Sequence, residues 1–410
     1  MSNSKAPEKA LQGTTIPPER LSRLTGTGLA LMAAGIVVCL IALLTEGGRS
    51  SIGFAYLWGF AFFWVIVLGS LFFVALQHVT RSIWSVVIRR VAEMFAAPMW
   101  IAAILFIPVL LFIWFGDQIP LFAWLDPDHP AALHITGFKK AYLNLPFFIA
   151  RAVSFFIIWI FFARYFVSRS LKLEVTDSAD SLADGMRRAA GPFIPIFALT
   201  ATFASFDWFM SLDPTWVSTI YGVYLFAGMT ASALSVITIG VVWLRSRGHL
   251  GQGIVTDEHL YSLGGLIFAF VCFWAYIAFS QFMLIWYGNI PEETNWFVHR
   301  IDGNWLTASI LLPILRFALP FLLLLSRPAK TNPRRLVIVS VLVLVGELYD
   351  LYWLIMPERS APASVSAWVA IGPLALMVGV IIWSAARFLK KHRTMAVGDP
   401  MFEESRRFHL

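Results

Sequence analysis

Arg316, Glu347 and Asp350 are ionisable residues within long apolar segments of the C-terminal third of the chain. Arg316 lies fifteen positions before residue 331, the centre of the intervening loop, and Glu347 lies sixteen positions after it. With a rise of about 1.5 Å per residue, two antiparallel helices would place both side chains at a similar depth. An unpaired charge at that depth would cost several kcal/mol. We therefore predict that Arg316 and Glu347 approach each other directly or through water.

Asp350 follows Glu347 by three residues, so on a helix both carboxylates share one face. Carboxylates in an apolar environment are typical of proton relays, because they can take up and release a proton without leaving their place. The pattern predicts a ladder of acids that conducts protons. A static buried ion pair with a spare acid is the alternative.

A second acidic site lies in the stretch FASFDWFMSLDPTWVSTIYGVY, residues 203–224. Asp207 lies in an apolar run, Asp213 precedes a proline, and Tyr221 and Tyr224 follow. A hairpin around residues 211–214 would bring Tyr221 close to the depth of Asp207. We expect an acceptor for protons near the outer surface here. The structural alternative is that Asp207 caps the hairpin or binds a nearby hydroxyl.

The apolar segment that begins near His259 carries further polar side chains. His259 lies at its boundary and is a candidate for loading protons, although a boundary histidine can also be merely solvated. Tyr276 and Ser280 share a face, with Gln281 beside them.

The elements that position these residues follow from the composition. The chain has 410 residues, of which 59% are hydrophobic and 13% are charged, about half the charged share of a typical soluble domain. This indicates an all-α integral membrane protein, because a helix satisfies its own backbone polar groups in lipid. Ten apolar segments have spanning length: 25–45, 52–77, 95–115, 145–167, 192–212, 216–243, 260–287, 304–326, 336–356 and 364–388.

Lysine and arginine concentrate in the loops on the side of both termini, which predicts that this side is cytoplasmic. The chain is then a cytoplasmic tail of residues 1–24, a transmembrane domain of residues 25–388 and a cytoplasmic tail of residues 389–410. The net charge of +7 follows from this asymmetry, so we expect no nucleic-acid partner. Residues 78–93 mix apolar and basic residues at helical spacing, and we expect them to lie along the inner interface.

Redox cofactors of its own are not expected for this chain. Cys39 and Cys272 lie in separate apolar segments and form no C-x-x-C motif, which disfavours an iron–sulfur or zinc site. The histidines lie outside the deep parts of the spans, which disfavours a membrane haem. The stretch TGTGLA, residues 25–30, lacks the third glycine and the preceding strand of a dinucleotide fingerprint.

Three stretches carry a resemblance to a known family. They are FDWFMSLDPTWVSTIYGVYLFAG (206–228), FAFVCFWAYIAFSQFMLIWYGNIPEET (268–294) and DLYWLIMP (350–357). The chain resembles the ActF subunit of alternative complex III, also called quinone-binding subunit 2 of quinol:cytochrome c oxidoreductase. The similarity covers most of the chain from the second span onward.

The resemblance implies an NrfD/PsrC-like fold of two four-helix bundles and two extra helices, in the bacterial inner membrane. It implies a respiratory complex that oxidises quinol or menaquinol, with a sister ActC-like subunit, an iron–sulfur subunit and c-type cytochrome subunits as partners. This subunit would itself hold no metal or covalent cofactor and would contribute to proton movement. With this resemblance, the side chains expected to face a quinone are Asp207, Tyr221, Tyr224, Tyr276 and Gln281. Alternatives are a structural anchor for the redox subunits, a catalytic quinol site within this chain, and a secondary transporter.

Overall fold

The computed structural model describes residues 14–115, 121–126, 128–133, 135–359 and 367–409. Within these ranges ten helices are long and apolar enough to cross a membrane, which confirms the all-α, ten-span prediction. They are α1 (Pro18–Leu44), α2 (Ser51–Val79), α3 (Val86–Ile113), α4 (Leu145–Lys172), α5 (Ala179–Leu212), α6 (Tyr221–Ser246), α7 (Asp257–Gly288), α8 (Trp305–Leu324), α9 (Pro333–Glu358) and α10 (Trp368–Lys391).

Local sequence explains where several of these helices begin. The Asn144 side chain accepts a hydrogen bond from the Phe147 amide at 3.0 Å, and the first turn of α4 contains a proline. The Asn332 side chain caps α9 in the same way, at 3.1 Å from the Arg335 amide. Asparagine supplies an acceptor for a free N–H, while proline in the first turn sacrifices no helical hydrogen bond.

The spanning helices form two groups joined at the centre. Helices α2, α3, α4 and α5 pack around one another, and α6, α7, α8 and α9 form a second such group. Contacts between α2 and α6 join the two groups. This arrangement agrees with the two four-helix bundles expected from the resemblance.

Helices α1 and α10 pack closely against each other beside these two groups, and α10 also contacts α2. Small residues allow this approach: a Cβ atom on Gly35 would lie 2.5 Å from the Leu376 backbone nitrogen. A similar added atom on Gly28 would meet Trp383 at 2.8 Å. Close backbone contact through glycine is a usual way to associate helices in lipid.

The interface position expected for residues 78–93 is wrong. Helix α2 continues to Val79, and α3 already begins at Val86, inside the bundle rather than along its surface. Arg89, Arg90 and Glu93 are buried. This segment can enter the protein interior because its charges are paired. An amphipathic pattern alone does not distinguish such a buried helix from one that lies on the membrane surface.

The chain segments before α1 and after α10 meet at one end of the bundle, here called the termini side. The Thr394 amide donates to the Thr14 carbonyl at 3.0 Å. The C-terminal segment then folds back, and the Ser405 hydroxyl accepts from the Val87 amide at 3.3 Å. The predicted tail of residues 389–410 therefore packs on the helices as far as it is described, while residues 1–13 of the predicted N-terminal tail lie outside the described ranges.

Candidate functional site

Arg316 is held in an irregular turn of α8. Residues Ile314–Ala318 form a π-helical turn directly after Pro313. Pro320 follows this turn, and it has no N–H for the carbonyl of Arg316 four residues earlier and crowds that carbonyl, so the helix widens locally. Arg316 is 3% exposed. Single π turns are frequent at functional sites, which marks this position as a candidate.

The predicted ion pair between α8 and α9 is confirmed. Arg316 Nη2 lies 2.7 Å from Glu347 Oε2, and both side chains are buried. Arg316 Nε also lies 3.3 Å from Asp350 Oδ2, so the two carboxylates share one guanidinium. The depth matching inferred from the loop centre is therefore correct.

Two aromatic side chains from α6 and α7 complete the cluster around Asp350. The Tyr224 hydroxyl donates to Asp350 Oδ1 at 2.5 Å, and Trp274 Nε1 donates to Asp350 Oδ2 at 2.9 Å. The Arg316 guanidinium lies 4.8 Å from the centre of the Trp274 ring, within cation–π range. We call Tyr224, Trp274, Arg316, Glu347 and Asp350 the central cluster. All five are buried.

The two carboxylates of the central cluster differ in their partners. Asp350 accepts from a hydroxyl and an indole and also faces the guanidinium. Glu347 Oε2 lies close to Arg316, yet no donor among the described residues is in hydrogen-bond geometry with it. Hydrogen bonds to an ionised carboxylate stabilise its charge. Asp350 is therefore the better stabilised anion of the two.

Two glycines make room for the ion pair. A Cβ atom on Gly228 of α6 would lie 2.6 Å from Glu347 Oε2 and 2.7 Å from Arg316 Nη2. A Cβ atom on Gly346 of α9 would lie 2.9 Å from Arg316 Cδ. Since real Cβ atoms are essentially never found within 3.0 Å of such neighbours, both positions need glycine for the observed packing. Sequence reasoning missed these two residues, because only the packing shows what they face.

Asp207 belongs to a separate ion pair. Arg151 of α4 donates to both of its carboxylate oxygens, from Nε at 2.7 Å and from Nη2 at 2.9 Å. The Arg151 guanidinium also lies 3.9 Å from the centre of the Tyr142 ring. Burial and the nearby Asp207 carboxylate raise the pKa of Tyr142. One cation balances one anion here, which is the arrangement expected of a structural buried pair.

The predicted neighbours of Asp207 have other roles. Asp213 Oδ1 accepts from the Thr215 amide at 2.9 Å, which is the hydrogen bond of a local turn. Tyr221 is buried, and its ring meets Trp216 edge-on with centres 5.8 Å apart. The hydrogen-bond partners of Asp207 and Asp213 thus differ from the partners of Asp350, which belongs to the central cluster.

His259 is buried beneath the C-terminal segment rather than open to solvent. Its Nδ1 lies 3.1 Å from the Thr256 amide, and its Nε2 lies 3.1 Å from the Ser405 carbonyl oxygen. An acceptor at Nδ1 and a donor at Nε2 describe a neutral ring with one fixed tautomer. The ring therefore caps α7 and binds the tail to it.

Tyr224, Tyr276 and Gln281 line a common cavity of about 730 Å³. Its walls come from α7, from α8, from the connecting segment between them and from the far end of α9, and Tyr224 of α6 also lines it. Asp207 and Tyr221, the other residues expected to face a quinone, are not among its lining residues. Three of the five predicted residues are therefore brought together.

Arg300 is a buried cation in the segment that connects α7 to α8. Its Nη2 atom lies 2.6 Å from Glu358 Oε1. The guanidinium also donates to the carbonyl oxygens of Trp296, Trp353 and Leu354. Burial lowers the pKa of the Arg300 guanidinium, and Glu358 opposes that shift. The arrangement ties the connecting segment to the end of α9.

A further charged cluster on the termini side was also missed. Arg90 Nη1 lies 2.8 Å from Glu93 Oε2, and Arg90 Nη2 lies 2.7 Å from Glu174 Oε1. The Ser170 hydroxyl donates to Glu93 Oε1 at 2.7 Å. Neighbouring Arg89 pairs with Asp399 of the C-terminal segment. Buried partners on α4 and on the tail could not be identified from the residues 78–93 alone.

Comparison with known proteins adds no assignment. The chain matches no protein-family model, and a search of curated proteins found no match.

Proposed function

We propose that this chain is a cofactor-free membrane subunit of a quinol-oxidising respiratory complex of the alternative complex III class, in which the central cluster passes protons. The chain would lie in the bacterial inner membrane with both termini in the cytoplasm. Its partners would be an ActC-like sister subunit, an iron–sulfur subunit and c-type cytochromes. The resemblance of residues 206–228, 268–294 and 350–357 supports the class, and the central cluster supports the proton role.

The charge balance of the central cluster is the observation that carries the proton role. One guanidinium faces two carboxylates, all of them buried among apolar helices. An uncompensated charge in such an environment is costly, so the cluster is electrically neutral when it binds one proton. A buried cluster that can hold one proton on either of two carboxylates is suited to a proton relay.

Glu347 is the carboxylate that takes up this proton in the proposal. Asp350 is stabilised as an anion by Tyr224 and Trp274, whereas Glu347 Oε2 faces Arg316 without a described donor in hydrogen-bond geometry. Movement of the Arg316 guanidinium toward Asp350 would leave Glu347 to be protonated. Return of the guanidinium would expel the proton.

The test is Glu347→Gln in the complete complex, reconstituted in lipid vesicles. The amide preserves the shape of the side chain but does not release a proton. We expect the ratio of protons moved to electrons transferred to fall, with the other subunits still bound. Glu404→Gln is the matched control, because Glu404 lies exposed in the C-terminal segment.

An unchanged proton-to-electron ratio in Glu347→Gln, with normal assembly, would contradict the relay. A loss of the partner subunits together with unchanged chemistry in the remaining complex would favour the alternative of a structural anchor. The extensive buried ion pairs that hold α4 to α5 and α3 to the C-terminal segment are the observation that favours that alternative.

A further inference from the structure

A second cavity, on the termini side, is lined mainly by polar and charged side chains. Its volume is about 430 Å³, and it lies between the end of α2, the start of α5 and residues 399–401 of the C-terminal segment. The α-helical part of α5, Ala179–Trp208, has 30 residues and is about 45 Å long, whereas the hydrocarbon core of a bilayer is about 30 Å thick. The charged first turns of α5 extend beyond that core, so this termini-side cavity lies at the level of lipid head groups.

Three polar groups in the walls of the termini-side cavity lack a hydrogen-bond partner among the described residues. They are His78 Nε2, Ser82 Oγ and Arg187 Nε. His78 is only 7% exposed, and its ring stacks on Phe166 with the ring centres 5.6 Å apart. Buried polar atoms are normally paired. These walls therefore offer hydrogen-bond donors to a ligand that carries acceptor oxygens.

Two arginines at the rim of the termini-side cavity are only weakly engaged. Arg81 Nη2 and Arg187 Nη2 lie 3.6 Å and 3.5 Å from the same atom, Asp184 Oδ1. Exposed ion pairs of this length contribute little to stability. Buried Arg89, by contrast, is already paired with Asp399. The guanidiniums of the two rim arginines can therefore turn toward an anionic oxygen that enters between them.

Charges of both signs follow one another along α5. Asp180, Asp184 and Arg187 line the cavity at spacings of four and three residues, so they share one face of the helix. Asp180 lies next to the start of α5, and Arg187 lies about 10 Å further along it toward the membrane core. A simple anion would be repelled by the two acids. A zwitterion with its cation toward the water and its anion toward the core matches this order.

From these observations we infer that the termini-side cavity binds a phosphoethanolamine group. Its phosphate oxygens accept hydrogen bonds from Arg187 and Ser82, and its ammonium group faces Asp180 and Asp184. Phosphatidylethanolamine carries this group at the membrane surface, with the ammonium at the end of the head group and the phosphate nearer the hydrocarbon. Soluble glycerophosphoethanolamine carries the same group. The inference stands apart from the proton relay, because it concerns a different surface and a different measurement.

Carbodiimide coupling tests the inference on the full chain in phosphatidylcholine nanodiscs. The reagent joins a carboxylate to an adjacent primary amine as an amide and takes up the water that is lost. Dioleoyl phosphatidylethanolamine is the lipid probe, and peptide mass spectrometry should find its adduct at Asp180 or Asp184. Asp177, which is exposed just before α5, should stay unmodified at the same mole fraction of probe. Added glycerophosphoethanolamine gives an adduct of different mass, so the mass at these acids identifies the source of the group.

Two variants probe the site itself. Arg187→Met removes the cation for the phosphate, and half-maximal coupling should need roughly tenfold more probe, as expected for the loss of one hydrogen bond to a charged group. Arg188→Met is the matched control, because Arg188 is exposed and is not among the lining residues. Ala183→Trp fills the cavity and should abolish coupling at the two acids, with Asp177 unchanged.

Equal coupling at Asp177, Asp180 and Asp184 would overturn the inference, because the lipid amine would then react with any surface carboxylate. Unchanged coupling in Arg187→Met would overturn it as well. So would equally strong competition by dioleoyl phosphatidylglycerol, since the cavity would then select an anion rather than a zwitterion. None of these results depends on the proton-to-electron ratio, so failure here is distinct from failure of the proposed function.

Discussion

Gly228→Ala should weaken the central ion pair without removing any charged group. The added Cβ atom would lie 2.6 to 2.8 Å from Glu347 and Arg316 side-chain atoms, whereas ordinary contact begins at 3.4 Å. The charged ends must therefore retreat by roughly 0.8 Å to reach ordinary contact distances. Gly346 limits the retreat on the other side, because Arg316 Cδ already lies against it.

The magnitude follows from Coulomb's law. If the pair lengthens from 2.7 Å to roughly 3.5 Å, its attraction falls from about 6.1 to about 4.7 kcal/mol at an effective dielectric constant of about 20. This is a loss of about 1.4 kcal/mol. Replacing glycine by alanine inside a helix contributes about 0.5 to 1 kcal/mol in the opposite direction. The effect must therefore be measured against a glycine that has open space.

Gly265→Ala on α7 is that control, since an added Cβ atom there meets nothing within 4 Å. The assay is reversible unfolding in mixed micelles, followed by tryptophan fluorescence. Gly228→Ala should be less stable than Gly265→Ala by about 1.4 kcal/mol or more. The difference should shrink in a Glu347→Ala background, where two of the three close atoms are absent. Equal stability of the two glycine variants would refute the reasoning.

Three other predictions follow from the described contacts. Arg151→Met should lower the free energy of unfolding by about 3–5 kcal/mol, because Asp207 then stays buried and unpaired. The double variant Arg151→Met/Asp207→Leu should lose less of that free energy than the single variant. A greater loss in the double variant would contradict the prediction. Gly35→Leu should separate α1 from α10 and speed proteolysis of α1, whereas Gly26→Leu, at an open position, should not. Burial and neighbouring cations lower the pKa of His392, so at this residue the folded protein binds fewer protons than the unfolded chain. The free energy of unfolding should therefore fall as the pH drops below about 6.5. His392→Gln should flatten that part of a profile of stability against pH.

The helices and the central ion pair were accessible from sequence for one reason. Depth along a spanning helix is set by residue count, because each residue advances the chain by a constant rise. Arg316 and Glu347 are nearly equidistant from one loop, so their depths agree whatever the details of packing. The same counting places Asp350 on the face of Glu347.

Partners that come from other helices could not be obtained in this way. Arg151 lies within the apolar segment 145–167, yet nothing in the residue spacing assigns it to Asp207 on α5. Tyr224 was expected to face a quinone, and its hydroxyl instead binds Asp350 while its ring borders the cavity. Trp274 resembled any other apolar residue of its segment.

Sequence by itself determined that this chain forms ten apolar helices and that Arg316 and Glu347 lie at matching depth, since hydrophobicity and helical rise act along one chain segment at a time. Tertiary structure decided which helices are neighbours and which way each side chain turns. Those choices depend on close packing between remote segments, as at Gly228, where the absence of a single carbon atom lets α6 lie against the ion pair.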